Sequence, residues 1–134
     1  MKVTLDELER AAAALWVELP PGSVVWLTGE LGSGKTTFVH ALSQAAAAGE
    51  AHSPTFALVH EYPSPSGLLV HVDCYRLRHA DEALDLDFAG VQQAARLLLI
   101  EWPELAGEYA PPPDAHLHFT HVEHPDMRRV ERLR

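Results

Sequence analysis

The sequence is poor in cysteine and lysine and has no long apolar run. Cys74 is the single cysteine of 134 residues, so an internal disulfide is excluded and we expect a reducing, cytoplasmic environment. No apolar run approaches the ~20 residues needed to cross a bilayer, so no membrane role is expected. Lys2 and Lys35 are the only lysines in a chain of net charge -9, which disfavours direct binding of nucleic acid. A nucleic-acid role would therefore depend on a partner.

The length and composition predict one domain that covers residues 1–134. Its first half has the patterns of helices and strands that indicate an α/β domain. Thr4-Leu5-Asp6-Glu7 is a capping-box pattern at the start of an N-terminal helix. Residues 24–27 are apolar without alternation, as expected for a strand buried on both faces of a sheet. Another helix follows from Lys35, and Gly49 can end it in a left-handed conformation.

The middle of the chain predicts a strand pair followed by a second buried strand. Residues 56–62 and 68–73 flank a loop of proline, serine and glycine, which favours an antiparallel pair. Residues 80–86 and 91–96 are short helical segments. Residues 97–101 read Leu-Leu-Leu-Ile-Glu and predict a strand buried on both faces.

The C-terminal region predicts a hairpin. Residues 116–122 and 128–133 have strand character and are separated by a turn at 124–126. With the preceding elements, this gives a single P-loop NTPase-like domain with a central mixed sheet, flanking helices and an antiparallel C-terminal hairpin.

The P-loop prediction rests on Gly29 to Thr36, which read Gly-Glu-Leu-Gly-Ser-Gly-Lys-Thr between a buried strand and a helix. Glycines let the backbone curl so that its N–H groups face phosphate oxygens, and the helix directs its positive end at the anion. Lys35 is expected to reach the β- and γ-phosphates, and the Thr36 hydroxyl to ligate magnesium. The predicted nucleotide-binding residues are Gly29, Glu30, Leu31, Gly32, Ser33, Gly34, Lys35, Thr36 and Thr37.

Two acids and one hydroxyl are candidates for the chemistry beside the P-loop. Asp73 and Glu101 each end an apolar strand, so both carboxylates should emerge near the phosphates and help to hold the metal and its waters. The sequence does not divide their roles. Thr55, in Ser53-Pro-Thr-Phe56, lies where nucleotide switches place a hydroxyl towards the γ-phosphate or magnesium.

The histidines and tryptophans are assigned structural roles. His116 and His118 would share one face of a strand, but no cysteine or acid completes a zinc set at familiar spacing. They are interpreted as solvated strand histidines. Trp16, Trp26 and Trp102 are expected in the core or lining a pocket, and Trp102 could lie against bound nucleotide.

Four separated motifs extend beyond the P-loop. They are Gly-Glu-Leu-Gly-Ser-Gly-Lys-Thr-Thr-Phe38, then Ser53-Pro-Thr-Phe56 with Glu61-Tyr62, then His71-Val-Asp-Cys-Tyr-Arg-Leu77, and then Ile100-Glu-Trp-Pro-Glu104. In this order and spacing the set resembles the bacterial TsaE family, formerly called YjeE. The resemblance covers most of the chain. Leucine is common in the family motif where Cys74 stands, and residues 83–86 and the brief C-terminal hairpin also depart from the family pattern. These departures leave open the nucleotide contacts near residues 125–129.

The resemblance implies an ATPase required for threonylcarbamoyl modification of adenosine 37 in tRNAs that read codons beginning with adenine. It implies TsaB and TsaD as partners, with tRNA contacted through the complex, and ATP and Mg²⁺ as cofactors. It also implies that Thr36 and Glu101 coordinate magnesium, Lys35 holds phosphate and Asp73 assists hydrolysis. The segment from Thr4 to Glu7 would lie near the adenine.

The mechanism expected from these motifs is in-line attack of water on the γ-phosphate. Lys35 and magnesium would neutralise charge, and Asp73 or Glu101 would orient the water. No arginine is clearly placed as a finger in cis, although Arg76 follows Asp73 closely. Slow turnover by the chain alone is therefore expected, with partner binding completing the site.

Three other functions use similar motifs. A small-molecule kinase would share the P-loop, but the chain shows no arginine-rich lid insertion. A GTPase of the familiar type would read guanine through Asn-Lys-x-Asp, and neither lysine lies in such a motif. A non-enzymatic module that binds nucleotide to organise a partner would have nearly the same sequence, so variants that bind but do not hydrolyse ATP are needed to separate it from an ATPase.

Overall fold

Seven strands form one mixed sheet in the computed structural model, which describes residues 2–30, 33–49, 58–122 and 127–134. The strands are β1 (Lys2–Thr4), β2 (Ser23–Gly29), β3 (Val59–Ser64), β4 (Gly67–Asp73), β5 (Leu97–Glu101), β6 (Ala115–Thr120) and β7 (Met127–Arg132). Their spatial order is β1-β7-β6-β2-β5-β4-β3. The four central strands β6, β2, β5 and β4 are parallel, and the outer pairs are antiparallel. The predicted α/β class, mixed sheet and C-terminal hairpin are confirmed.

Helices cover both faces of this sheet. The α-helices are α1 (Leu5–Glu18), α2 (Lys35–Ala45) and α3 (Phe88–Ala94), and the 3-10 helices are Ala80–Leu86, Pro103–Leu105 and Gly107–Tyr109. On one face, α1 and α2 pack over β2, β5 and β6, with Leu8 and Leu42 fully buried. The other face is covered by the Ala80–Leu86 helix and α3. Apolar burial on both faces explains the unbroken apolar sequences of β2 and β5.

Local sequence signals account for the start of α1. The Thr4 hydroxyl accepts a hydrogen bond from the Glu7 N–H, and the Glu7 carboxylate accepts one from the Thr4 N–H. This reciprocal pair satisfies amides that have no partner inside the helix. The predicted capping box is therefore confirmed.

The ends of two helices differ from the sequence-based predictions. α2 ends at Ala45, and Ala47 takes the left-handed conformation (φ 54°) that had been assigned to Gly49. The Ala48 N–H donates to the Ser43 carbonyl, so the chain leaves the helix before it reaches that glycine. The helix predicted over 91–96 is α3, which ends at Ala94. Arg96 lies outside it and donates to the carbonyls of Leu19 and Trp16 at the end of α1.

Candidate nucleotide-binding site

The ends of three parallel strands bring the predicted site residues to one edge of the sheet. Asp73 at the end of β4 lies opposite Glu101 at the end of β5, and Glu101 lies opposite Leu27 of β2. β2 then continues to Gly29, where the P-loop begins. In open parallel sheets, ligands bind outside the carboxyl ends of the strands. Both acids therefore lie beside the P-loop, as the sequence predicted.

The backbone of Gly29 approaches β6 so closely that a side chain would not fit. Its φ is 130°, and a Cβ there would lie 2.1 Å from the carbonyl oxygen of Phe119. Residues with a side chain rarely adopt so positive a φ, so the backbone would be strained at this position even without the clash. Gly29 thus lets β2 pair with β6 up to the start of the P-loop.

The N-cap residue of α2 has no side chain that could accept a hydrogen bond from the first N–H groups of the helix. Gly34 takes a left-handed conformation (φ 110°) and offers no side-chain cap, and the first turn of α2 has no acidic residue. α1 differs on both points, because it has the Thr4 cap and the acids Asp6 and Glu7 in its first turn. Unpaired N–H groups and the helix dipole attract anions at such an end. The α2 N-terminus is suited to a phosphate group.

Lys35 is a buried cation at the start of α2. It is 4% exposed, its Nζ donates to the Gly29 carbonyl at 2.5 Å, and the same Nζ lies 3.8 Å from the centroid of the Trp102 ring. Burial lowers the pKa of Lys35, while the charges of Glu101, Asp73 and Glu104 act in the opposite direction. A desolvated ammonium that can exchange a carbonyl for a phosphate oxygen fits the role of the P-loop lysine.

The two candidate acids have different surroundings. Glu101 is 4% exposed, and its Oε2 lies 2.5 Å from the Nε2 of the buried His71. Asp73 is half-buried, and its Oδ1 accepts a hydrogen bond from the Tyr75 N–H. Mg²⁺ binds oxygen ligands such as carboxylates and hydroxyls. Glu101 and the exposed Thr36 could therefore hold that ion.

The remaining P-loop predictions are described only in part. The Ser33 hydroxyl donates to the Glu30 carbonyl and closes a short turn. Thr37 is half-buried at the start of α2. Leu31, Gly32 and Thr55 lie outside the described residues, so their assigned contacts stay predictions.

Sequence reasoning missed two contacts at this site. The bond between His71 and Glu101 was not predicted, although His71 lies two residues before Asp73 and therefore on the same face of β4. The contact of Lys35 with Trp102 was also missed, because the sequence suggested only that Trp102 might face nucleotide. Trp102 has a φ of 56°, and this left-handed turn directly after β5 is not visible in the sequence. Arg76, which was considered as a finger in cis because it follows Asp73 closely, is exposed.

The histidines of β6 form a separate cluster on the sheet. The Thr28 hydroxyl lies 2.8 Å from the Nε2 of His116 and 2.8 Å from the Nδ1 of His118. Burial lowers the pKa of His116, and the nearby His118 lowers it further. Both histidines are half-buried and hydrogen-bonded, so they are less solvated than the sequence suggested.

Comparisons with known proteins match this chain to one family. The family model for "Threonylcarbamoyl adenosine biosynthesis protein TsaE" matches residues 3–130. A crystal structure of Bacillus subtilis YdiB superposes with a TM-score of 0.71 at 26% identity, covering 97% of this chain and 82% of that one.

None of the helices in the described ranges is long and apolar enough to cross a membrane.

Curated relatives carry the same name, tRNA threonylcarbamoyladenosine biosynthesis protein TsaE. The Streptomyces coelicolor protein is 41% identical over 75% of this chain and 68% of its own length. The Rickettsia felis protein is 33% identical over 81% of this chain, and the Aquifex aeolicus protein is 40% identical over 64% of it. The matches span 64% and 62% of the lengths of these last two relatives, which is less than two thirds. With a family model that matches nearly its whole length, this chain belongs to the TsaE family.

Proposed function

We propose that this chain binds ATP with Mg²⁺ and hydrolyses it in support of tRNA threonylcarbamoyladenosine formation. In this proposal TsaB and TsaD are its partners, and tRNA is contacted through their complex. Relatives named for tRNA threonylcarbamoyladenosine biosynthesis support the pathway. The observation that carries the nucleotide site is the buried Lys35 beside an uncapped helix N-terminus and two strand-end acids.

The residues of the proposed site bind phosphate, hold the metal and orient the attacking water. The amides at the start of α2 and the Lys35 ammonium bind the β- and γ-phosphates. Thr36 and Glu101 hold Mg²⁺, which would supply positive charge to the phosphate oxygens. Asp73 or Glu101 orients a water molecule for in-line attack on the γ-phosphorus, and ADP leaves as the bond to its β-phosphate oxygen breaks.

The net charge supports the division of labour between the chain and its partners. The chain carries 10 lysines and arginines against 19 acidic residues. A protein that bound tRNA alone would need a basic surface to neutralise phosphates. In the proposed complex, the partners would provide that surface.

The first test is reconstitution of tRNA threonylcarbamoylation with TsaB, TsaD, unmodified tRNA and the threonylcarbamoyl donor. Lys35→Ala should abolish multiple turnover and phosphate release. Arg132→Ala is the matched loss of a cation, because Arg132 pairs with Glu18 on the exposed surface and should leave both rates unchanged. If Lys35→Ala kept both rates, the proposed site would be wrong.

A second test separates hydrolysis from nucleotide-dependent assembly. Glu101→Gln and Asp73→Asn should bind ATP but release phosphate more slowly and support less tRNA modification. Glu18→Gln, which alters an exposed acid in the Arg132 pair, serves as the control. Variants that bind ATP, fail to hydrolyse it and still sustain full modification would favour the non-enzymatic module.

A further inference from the structure

A buried histidine contacts the strand-end glutamate of the candidate site. His71 Nε2 and Glu101 Oε2 lie 2.5 Å apart, and the two residues are 7% and 4% exposed. A carboxylate removed from water needs hydrogen-bond partners to offset its lost hydration. His71 is such a partner, and the function proposed above gives it no role.

The sheet fixes the relative position of the two side chains. His71 and Asp73 share one face of β4, and the register sets Asp73 opposite Glu101 and His71 opposite Leu99. The His71 side chain therefore reaches diagonally along the sheet to the carboxylate of Glu101. The Cys74 N–H donates to the Glu101 carbonyl, so the ends of β4 and β5 are also joined through the backbone.

A second histidine supports the orientation of the His71 ring. His60 of β3 lies opposite His71 in the antiparallel register. Their ring centroids are 5.8 Å apart, with planes at 24°. His71 is thus packed against β3 on one side and hydrogen-bonded to β5 on the other, which limits the rotamers of both His71 and Glu101.

We propose that His71 is a positioning residue that holds Glu101 by one carboxylate oxygen so that the other serves Mg²⁺. This inference rests on the proposed function, in which Glu101 is a magnesium ligand. Partners that orient a metal-binding carboxylate typically contribute about 10- to 100-fold to metal affinity or activity. His71 acts through Glu101 and does not itself touch nucleotide or metal.

A pair of amide variants tests the contact. His71→Gln places an amide nitrogen near the position of Nε2, whereas His71→Asn is one methylene shorter and does not reach Glu101. The readout is Mn²⁺ affinity of the ADP-loaded protein, measured by electron paramagnetic resonance. His71→Asn should weaken Mn²⁺ binding by about 10- to 100-fold, and His71→Gln should restore most of it. ADP affinity in EDTA should be unchanged in both variants.

The coupling to Glu101 is tested by a double-mutant cycle. In the Glu101→Gln background, His71→Asn should cause no further loss of Mn²⁺ affinity, because the residue it positions no longer carries the charge. Additive losses, or equal Mn²⁺ affinity in His71→Asn and wild type, would overturn the inference and leave the proposed function standing. If wild-type protein shows no metal-dependent nucleotide binding, the proposed function and the inference fail together.

Discussion

Cys74 lies in the apolar core next to an acid of the candidate site. It follows Asp73 directly, has no exposed surface and packs with Val72 and Ile100 on the face of the sheet away from α2. A buried thiol behaves as a small apolar group, so it fits this apolar position of the core. The thiol therefore belongs to the core on the far face and is separate from the acids of the candidate site.

Cys74 should be unreactive in the folded protein. Burial, followed by the nearby charges of Asp73 and Glu104, raises its pKa to about 12. Since the thiolate is the reactive form, a thiol held protonated and shielded from solvent should not react with Ellman's reagent at pH 8. The same reagent should label one thiol per chain in denaturant. Stoichiometric labelling of native protein within the mixing time would contradict this environment.

At the residue scale, motifs and strand ends in the sequence were sufficient to predict which residues form the candidate site. The positions of Lys35, Asp73 and Glu101 in the chain predict them as site residues, and the parallel register brings the two acids together beside the P-loop. The partners of these side chains could not be predicted in the same way. The contact between His71 and Glu101 requires the register of two strands far apart in sequence, and the placement of Lys35 over Trp102 requires the left-handed turn after β5.

At the element scale, α1 and α2 differ in how their N-termini are satisfied. α1 is closed by its own capping box, while α2 begins at a glycine with no side-chain acceptor. The first arrangement stabilises the helix in any ligand state, and the second leaves amides available to an external anion.

Thr4→Ala should lower the free energy of unfolding by about 1 kcal/mol, because the Glu7 N–H loses its acceptor at the helix N-cap. Urea denaturation measures this change. Thr4→Ser, which keeps the hydroxyl, is the control and should stay close to wild type. Equal stability of the alanine and serine variants would show that the capping box contributes nothing.

Element boundaries show where local signals were sufficient and where they were not. The capping box located the start of α1 because its residues are adjacent in sequence. The end of α2 was placed too late, since Ala47 is left-handed although alanine normally avoids that conformation. β1 was not predicted at all, because Lys2–Thr4 is too short for a strand pattern and forms only through pairing with β7.

At the scale of the whole molecule, the candidate site exists only when the sheet is assembled. Its residues come from β2, α2, β4 and β5, and the β2–β5 pair joins Leu27 to Glu101 across distant parts of the sequence. Alternating helices and strands predicted the fold class, but the strand order depends on these long-range pairings. An unfolded chain would retain almost none of the site.

Nucleotide binding should therefore stabilise the whole fold. At a ligand concentration of about 100 times Kd, a ligand that binds only the native state adds about 2.7 kcal/mol to the free energy of unfolding. Urea denaturation with and without saturating ADP and Mg²⁺ measures the effect. Arg132→Ala should keep the added stability, and Lys35→Ala should lose most of it. A stability that is independent of nucleotide in wild type would argue against binding at this site.

The pairing of β1 with β7 also constrains when the protein can complete its fold during synthesis. Lys2 lies opposite Arg129 and Thr4 opposite Met127. Until that late segment has left the ribosome exit tunnel, the first strand has no hydrogen-bonding partner. Closing so large a loop is slow, and unpaired strand edges in a nascent chain promote aggregation. The β1–β7 pair can therefore form only after residues 127–132 have emerged, and until then the emerging chain would most benefit from a chaperone.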